Sequence, residues 1–161
     1  GGEAVDMNTE DVVEVLRELT QGAGPDKVID AVGVDSERPK SGPGATAGEQ
    51  LADEYAHEIA QNAPATGVHG NQWKPGDAPS QAARWYVDAI AKAGTIGVVG
   101  VYPPTMDAFP VGQALNKNLN LRMGNCPHRH FIPELVDLVA SGVVDPMSTT
   151  GQPHPIPGAH R

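Results

Sequence analysis

The stretch Thr95-Ile96-Gly97-Val98-Val99-Gly100-Val101-Tyr102 decides the fold. It is short, nearly all apolar and lacks the polar alternation of a half-solvated strand, so it reads as a strand buried on both faces. Upstream, Asp77-Ala78-Pro79-Ser80 reads as a helix start, and Ala82, Tyr86, Ala89 and Ile90 form a stripe that stops at Gly94. Earlier still, Lys27 to Val32 is a β-branched run closed by Gly33. It follows a helix from Thr9 with Val12, Leu16 and Leu19 on one face and acidic residues in its first turn. Downstream, Leu119 to Met123 alternates like a third strand, and Phe131, Leu135, Leu138 and Val139 mark a helix capped by Gly142. Strands alternating with helices predict an α/β fold: a doubly wound parallel sheet with helices on both sides. No internal repeat is present.

Between Arg38 and Pro79 glycine and proline recur every few residues, broken only by Leu51, Tyr55 and Ile59 at the spacing of one helix face. This is a long Gly/Pro-rich insertion, about residues 35–78. Segments of that length inside a compact domain are lids, contact surfaces or disordered, and the sequence leaves the three open.

The 161 residues allow one ordinary domain with a sizeable core. The 19 glycines and 15 prolines give loops a large share of it. A formal charge of −9 repels phosphate backbones and anionic lipid, which argues against a nucleic-acid or membrane partner. No apolar run approaches a membrane span, and the opening Gly-Gly-Glu-Ala-Val-Asp has no signal-peptide character. With Cys126 as the single cysteine, the expectation is a soluble, cytoplasmic protein.

In an open parallel sheet, ligands sit outside the C-terminal ends of the strands. Three strand-end turns are therefore candidates. Asp30-Ala31-Val32-Gly33 allows backbone to approach a flat ligand such as adenine or ribose. Val99-Gly100-Val101-Tyr102 could hydrogen-bond a carboxamide, and Met123-Gly124-Asn125-Cys126 is the third. Taken singly each is an ordinary turn; together they are more persuasive.

Other motifs are missing. No G-x-G-x-x-G opens a helix, no acidic residue follows one at the ribose-binding distance, and Gly22-Ala23-Gly24 precedes a strand instead. There is no G-x-S-x-G elbow and no H-E-x-x-H helix. Cys126, His128 and His130 are chemically suited to zinc, but three candidates crowded into five residues with no fourth ligand nearby read as a polar helix-entry loop. His57, His69, His154 and His160 are scattered in loop-like sequence.

The segments 24–33 (GPDKVIDAVG), 93–102 (AGTIGVVGVY), 116–126 (NKNLNLRMGNC) and 131–135 (FIPEL) resemble the zinc-dependent medium-chain alcohol dehydrogenases. Within them the formaldehyde-dehydrogenase-like branch, which has a comparable insertion after the Asp-Ala-Val-Gly strand, looks most similar. The resemblance covers about residues 8–146. It implies a partial Rossmann-like sheet, the second half of an NAD-binding domain over residues 1–130, then a helix over 131–146 leading back towards a catalytic domain, and an irregular tail over 147–161.

The resemblance assigns Val32 and Gly33 to the adenosine side of NAD. It assigns Val99, Gly100 and Val101 to the nicotinamide carboxamide, and Gly124, Asn125 and Cys126 to the nicotinamide ribose. Arg38 stands near a cofactor-contacting arginine of the branch. The function implied is that of a fragment of an NAD-dependent alcohol dehydrogenase, inactive alone, whose complete form is a homo-oligomer acting on a small alcohol or aldehyde. The family's zinc ligands are not among these residues, and no catalytic or metal residue is assigned. A truncated or frame-shifted gene would explain both ends. The competing reading is a non-catalytic binding or interaction module derived from a dehydrogenase.

Overall fold

A computed structural model describes residues 2–63 and 74–150. The chain divides into two compact units, Gly1–Gly124 and Asn125–Arg161.

In the first unit, α1 (Val12–Leu19) starts at Asp11, whose carboxylate accepts from the backbone N–H groups of Val13 and Glu14 at 3.0 and 3.1 Å. Val13 is its one buried residue, while Leu19 is exposed. The buried stripe is thus rotated from the expected Val12, Leu16 and Leu19. The helix meets α4 (Gln81–Ala89), to which Arg17 is tied through Asp88 at 2.9 Å.

The strands β1 (Lys27–Asp30), β2 (Thr95–Val98) and β3 (Asn120–Met123) pair in parallel in the order β1-β2-β3. The α/β class and the partial Rossmann-like parallel sheet are as the sequence predicts. β2 is shorter than the apolar run suggests: pairing stops at Val98, and Val99 to Tyr102 form the loop beyond it. β3 begins one residue later than predicted, at Asn120.

With the strands in sequence order, right-handed crossovers carry both connections over the same face. The core lies there. Ala83, Tyr86, Val87 and Ile90 bury themselves on Ile96, with Val28, Val98, Phe109, Ala114 and Leu119 packed around them. The opposite face carries Ile29, 75% exposed, and its register partners Gly97 and Arg122. Among the described residues of this unit, helices therefore cover one side of the sheet rather than both. The short helix α5 (Val111–Asn116) joins β2 to β3. After it, the Lys117 ammonium donates to the carbonyls of Val87, Asp88 and Ile90 at 2.9, 2.7 and 3.0 Å, closing the C-terminal end of α4.

The insertion is folded around two helices, α2 (Pro43–Gln50) and α3 (Ala52–Asn62). Tyr55, Glu58 and Asn62 form the buried face of α3, which overlaps the expected Leu51, Tyr55 and Ile59 stripe only at Tyr55. The reason is polar: the Glu58 carboxylate accepts from the backbone N–H and the hydroxyl of Ser80 at 3.0 and 2.7 Å, with the Arg84 guanidinium 3.6 Å away. A buried carboxylate is tolerated when it is bonded in this way. Asp77, predicted to open α4, instead accepts from the Arg38 backbone N–H at 2.6 Å and from the Lys40 ammonium at 2.9 Å. It closes the base of the insertion.

In the second unit, α6 (His128–Ala140) starts three residues before the predicted Phe131, and a turn of helix, α7 (Met147–Thr150), occupies sequence read as irregular. Residues 151–161 of that tail lie outside the described residues, as do His69, His154 and His160.

Candidate functional site

The parallel strands point their C-terminal ends the same way, so the turns after β1 and β2 lie side by side. Asp30 organises both. The residue is only 4% exposed, and Oδ1 accepts from the backbone N–H groups of Val32 and Gly33 at 3.0 and 2.9 Å. Its Oδ2 accepts from the Tyr102 hydroxyl at 2.6 Å, and its backbone carbonyl accepts from the N–H groups of Val99 and Gly100, both at 2.8 Å. One residue thus holds the ends of two strands together.

The turns also touch backbone to backbone. The Val34 N–H donates to the Val101 carbonyl at 3.1 Å. A Cβ on Gly100 would stand 2.3 Å from the Gly33 nitrogen, and one on Gly33 would stand 2.4 Å from the Val101 oxygen. Gly33 also has φ +65°, a left-handed conformation costly for other residues. Each of the two glycines is therefore required by the backbone of the other turn.

Around this contact the side chains of Val32, Val99 and Val101 are exposed, the last two by about three quarters (74% and 73%). The N–H groups of Val32, Gly33, Val34, Val99 and Gly100 are engaged internally. What the turns offer is an apolar rim with carbonyl acceptors, suited to a flat heteroaromatic ring carrying an amino or carboxamide donor. Beneath it, burial together with the Asp30 charge raises the Tyr86 hydroxyl to about 12. Burial and the bond to Asp30 raise that of Tyr102 far above its ordinary value. Both stay neutral, so Asp30 is bonded by a phenol instead of being paired with a cation.

The structure brings together Val32, Gly33, Val99, Gly100 and Val101. Arg38 is half-buried at the base of the insertion, its Nε 3.6 Å from Asp77 Oδ2 and its chain packed on Gly48. Gly124 directly follows β3 and is exposed, as are Asn125 and the free thiol Cys126 in the second unit. Sequence reasoning missed Asp30, Tyr86 and Tyr102 as determinants. An Asp at a strand end bonding the N–H groups two and three residues on is an Asx turn, and Asp30-Ala31-Val32-Gly33 carried that signal.

Among the described residues no group of three or more His, Cys, Asp or Glu side chains is placed to hold a metal ion. His128 and His130 stand in the first turn of α6 rather than in an entry loop, and residues two apart on a helix face different ways. Cys126, His128 and His130 thus do not converge as a zinc site.

Over 131 residues the chain is 33% identical to AdhB of Bacillus subtilis, an uncharacterized zinc-type alcohol dehydrogenase-like protein, covering 81% of this chain and 28% of that protein. Over 60 residues it is 32% identical to a zinc-type alcohol dehydrogenase-like protein of Schizosaccharomyces pombe, covering 37% of this chain and 14% of that one. Its relatives are zinc-type alcohol dehydrogenase-like proteins. The chain spans less than a third of the length of either, 28% and 14%. No model of a known protein family matches it. Among solved structures, the alcohol dehydrogenase TADH from Thermus sp. ATN1 superposes with a TM-score of 0.43 at 22% identity, over 85% of this chain and 27% of that one. AibC gives the same TM-score, 0.43, and the same coverage, 85% and 27%, at 18% identity. No helix of the described residues is long and apolar enough to cross a membrane.

Proposed function

We propose that this chain supplies the second half of the dinucleotide-binding domain of an NAD-dependent, zinc-type alcohol dehydrogenase-like oxidoreductase of the formaldehyde-dehydrogenase-like branch. Val32 and Gly33, with Arg38 nearby in the chain, serve the adenosine side. Val99, Gly100 and Val101 serve the nicotinamide carboxamide, and Gly124, Asn125 and Cys126, directly after β3, serve the nicotinamide ribose. The complete enzyme is a cytoplasmic homo-oligomer acting on a small alcohol or aldehyde.

The observation that carries this reading is the juxtaposition of the β1 and β2 strand-end turns through Gly33 and Gly100 under the exposed Val32, Val99 and Val101. A crevice at the C-terminal ends of parallel strands is where α/β sheets bind nucleotides. The 33% identity over 131 residues to a zinc-type alcohol dehydrogenase-like protein supports the choice of a dinucleotide. In such an enzyme NAD supplies the hydride acceptor; the residues here orient its rings and shield them from water.

The test is a titration of the isotopically labelled chain with adenosine and with nicotinamide mononucleotide, followed by amide NMR. Adenosine is expected to shift Val32 and Gly33, and the mononucleotide Val99 to Val101, at millimolar concentrations. Shifts confined to other regions, or none, overturn the reading and favour a non-catalytic interaction module.

A further inference from the structure

We infer that Asn62, at the end of α3, is a positioning residue for the nicotinamide-side turn, so that the insertion acts as a strut for the site; this rests on the proposed assignment of Val99 to Val101. The turn continues beyond Tyr102 into residues 103–109, whose backbone hydrogen bonds Met106 N–H to Pro103 O and Phe109 N–H to Asp107 O are short-range only. Long-range ties come from α3. The Asn62 side chain, in a residue only 8% exposed, accepts from the Thr105 hydroxyl at 2.9 Å and donates to the Met106 sulfur at 3.2 Å. Next to it the Gln61 amide donates to Asp107 at 3.2 Å.

Asn62 is itself oriented by donating to the Glu58 carbonyl at 2.7 Å, and the Glu58 carboxylate is bonded to Ser80 at the start of α4. One helix therefore joins the start of the core helix to the middle of the loop leaving the site. The near end of that loop is held by the Tyr102 bond to Asp30, and Phe109, at its far end, packs beside Tyr86. Asn62 and Gln61 secure what lies between. A loop held at its middle samples fewer conformations, so the turn it extends meets a ligand with less ordering left to do.

The same labelled full chain tests this with two variants, Asn62→Ala and Thr105→Val. The second removes one hydroxyl from an exposed residue and leaves α3 intact, so it remains informative if the first unfolds. Losing the latch is expected to speed amide exchange at Thr105 to Asp107 about tenfold. It is also expected to weaken the mononucleotide-induced shifts at Val99 to Val101 while adenosine still shifts Val32 and Gly33 as in the parent. General loss of structure would weaken both ligands together, and that result overturns the inference. Unchanged exchange, or unchanged mononucleotide binding in a folded variant, overturns it as well. Absence of mononucleotide shifts in the parent chain overturns the site assignment and this inference with it.

Discussion

The Tyr102 hydroxyl donates to Asp30 Oδ2 at 2.6 Å, joining the end of β1 to the loop beyond β2 across 72 residues of chain. Three donors satisfy the buried carboxylate, two from backbone and one from this phenol. Tyr102→Phe removes the one side-chain donor among the described residues and is expected to destabilise the fold by about 1–3 kcal/mol. Asp30→Ala, which orphans all three donors, is expected to cost more. Urea unfolding midpoints check the order; a Tyr102→Phe variant as stable as the parent would show that the bond contributes nothing.

Alkaline pH probes the same cluster. Tyr86 ionises near 10 when unfolded and at about 12 when folded. A group whose pKa is raised by folding contributes stability that is complete below the unfolded value and lost as pH rises to the folded one. Stability is therefore expected to fall between pH 10 and about 12, by roughly 1.4 kcal/mol per pH unit for one tyrosine. Tyr102, shifted in the same direction, adds to the loss. Tyrosinate absorbance should rise together with the loss of helical circular dichroism, and the slope should decrease in Tyr86→Phe. Ionisation of all three tyrosines near pH 10 with the fold retained contradicts this.

Gly100→Ala places a methyl 2.3 Å from the Gly33 nitrogen and must part the two turns, at an expected cost of about 3 kcal/mol. Gly97→Ala is the control. Its Cβ would meet nothing nearer than the Val28 carbonyl at 3.9 Å, so a change below about 1 kcal/mol is expected. Thermal melts of the two variants should separate clearly, and equal losses would remove the close approach as the reason for glycine at 100.

Untagged protein is expected to carry no stoichiometric zinc, since Cys126 is a free, exposed thiol and the imidazoles of His128 and His130 leave α6 in different directions. Elemental analysis beside a Cys126→Ser variant decides it. Near-stoichiometric zinc that disappears in the variant would show a metal site the geometry does not reveal.

Periodicity alone determined the parallel α/β class, because a β-branched run such as Lys27 to Val32 and a helical stripe such as Tyr86 to Ile90 depend on near neighbours. The strand-end turns were legible for the same reason, since glycine after a strand marks a local change of backbone direction. Tertiary structure decided the rest. Val99 to Tyr102 are as apolar as the strand before them, yet the ladder ends there: the Val99 N–H takes its last rung on the Asp30 carbonyl, and the Gly100 N–H turns back onto that same oxygen, 70 residues away in the chain. The buried face of α3 turned to Glu58 and Asn62 because their hydrogen-bond partners, Ser80, Thr105 and Met106, lie beyond the reach of any helical period. Even the purpose of Gly33 became visible only when Gly100 stood against it, since a steric requirement between two backbones leaves no trace in the sequence of either one.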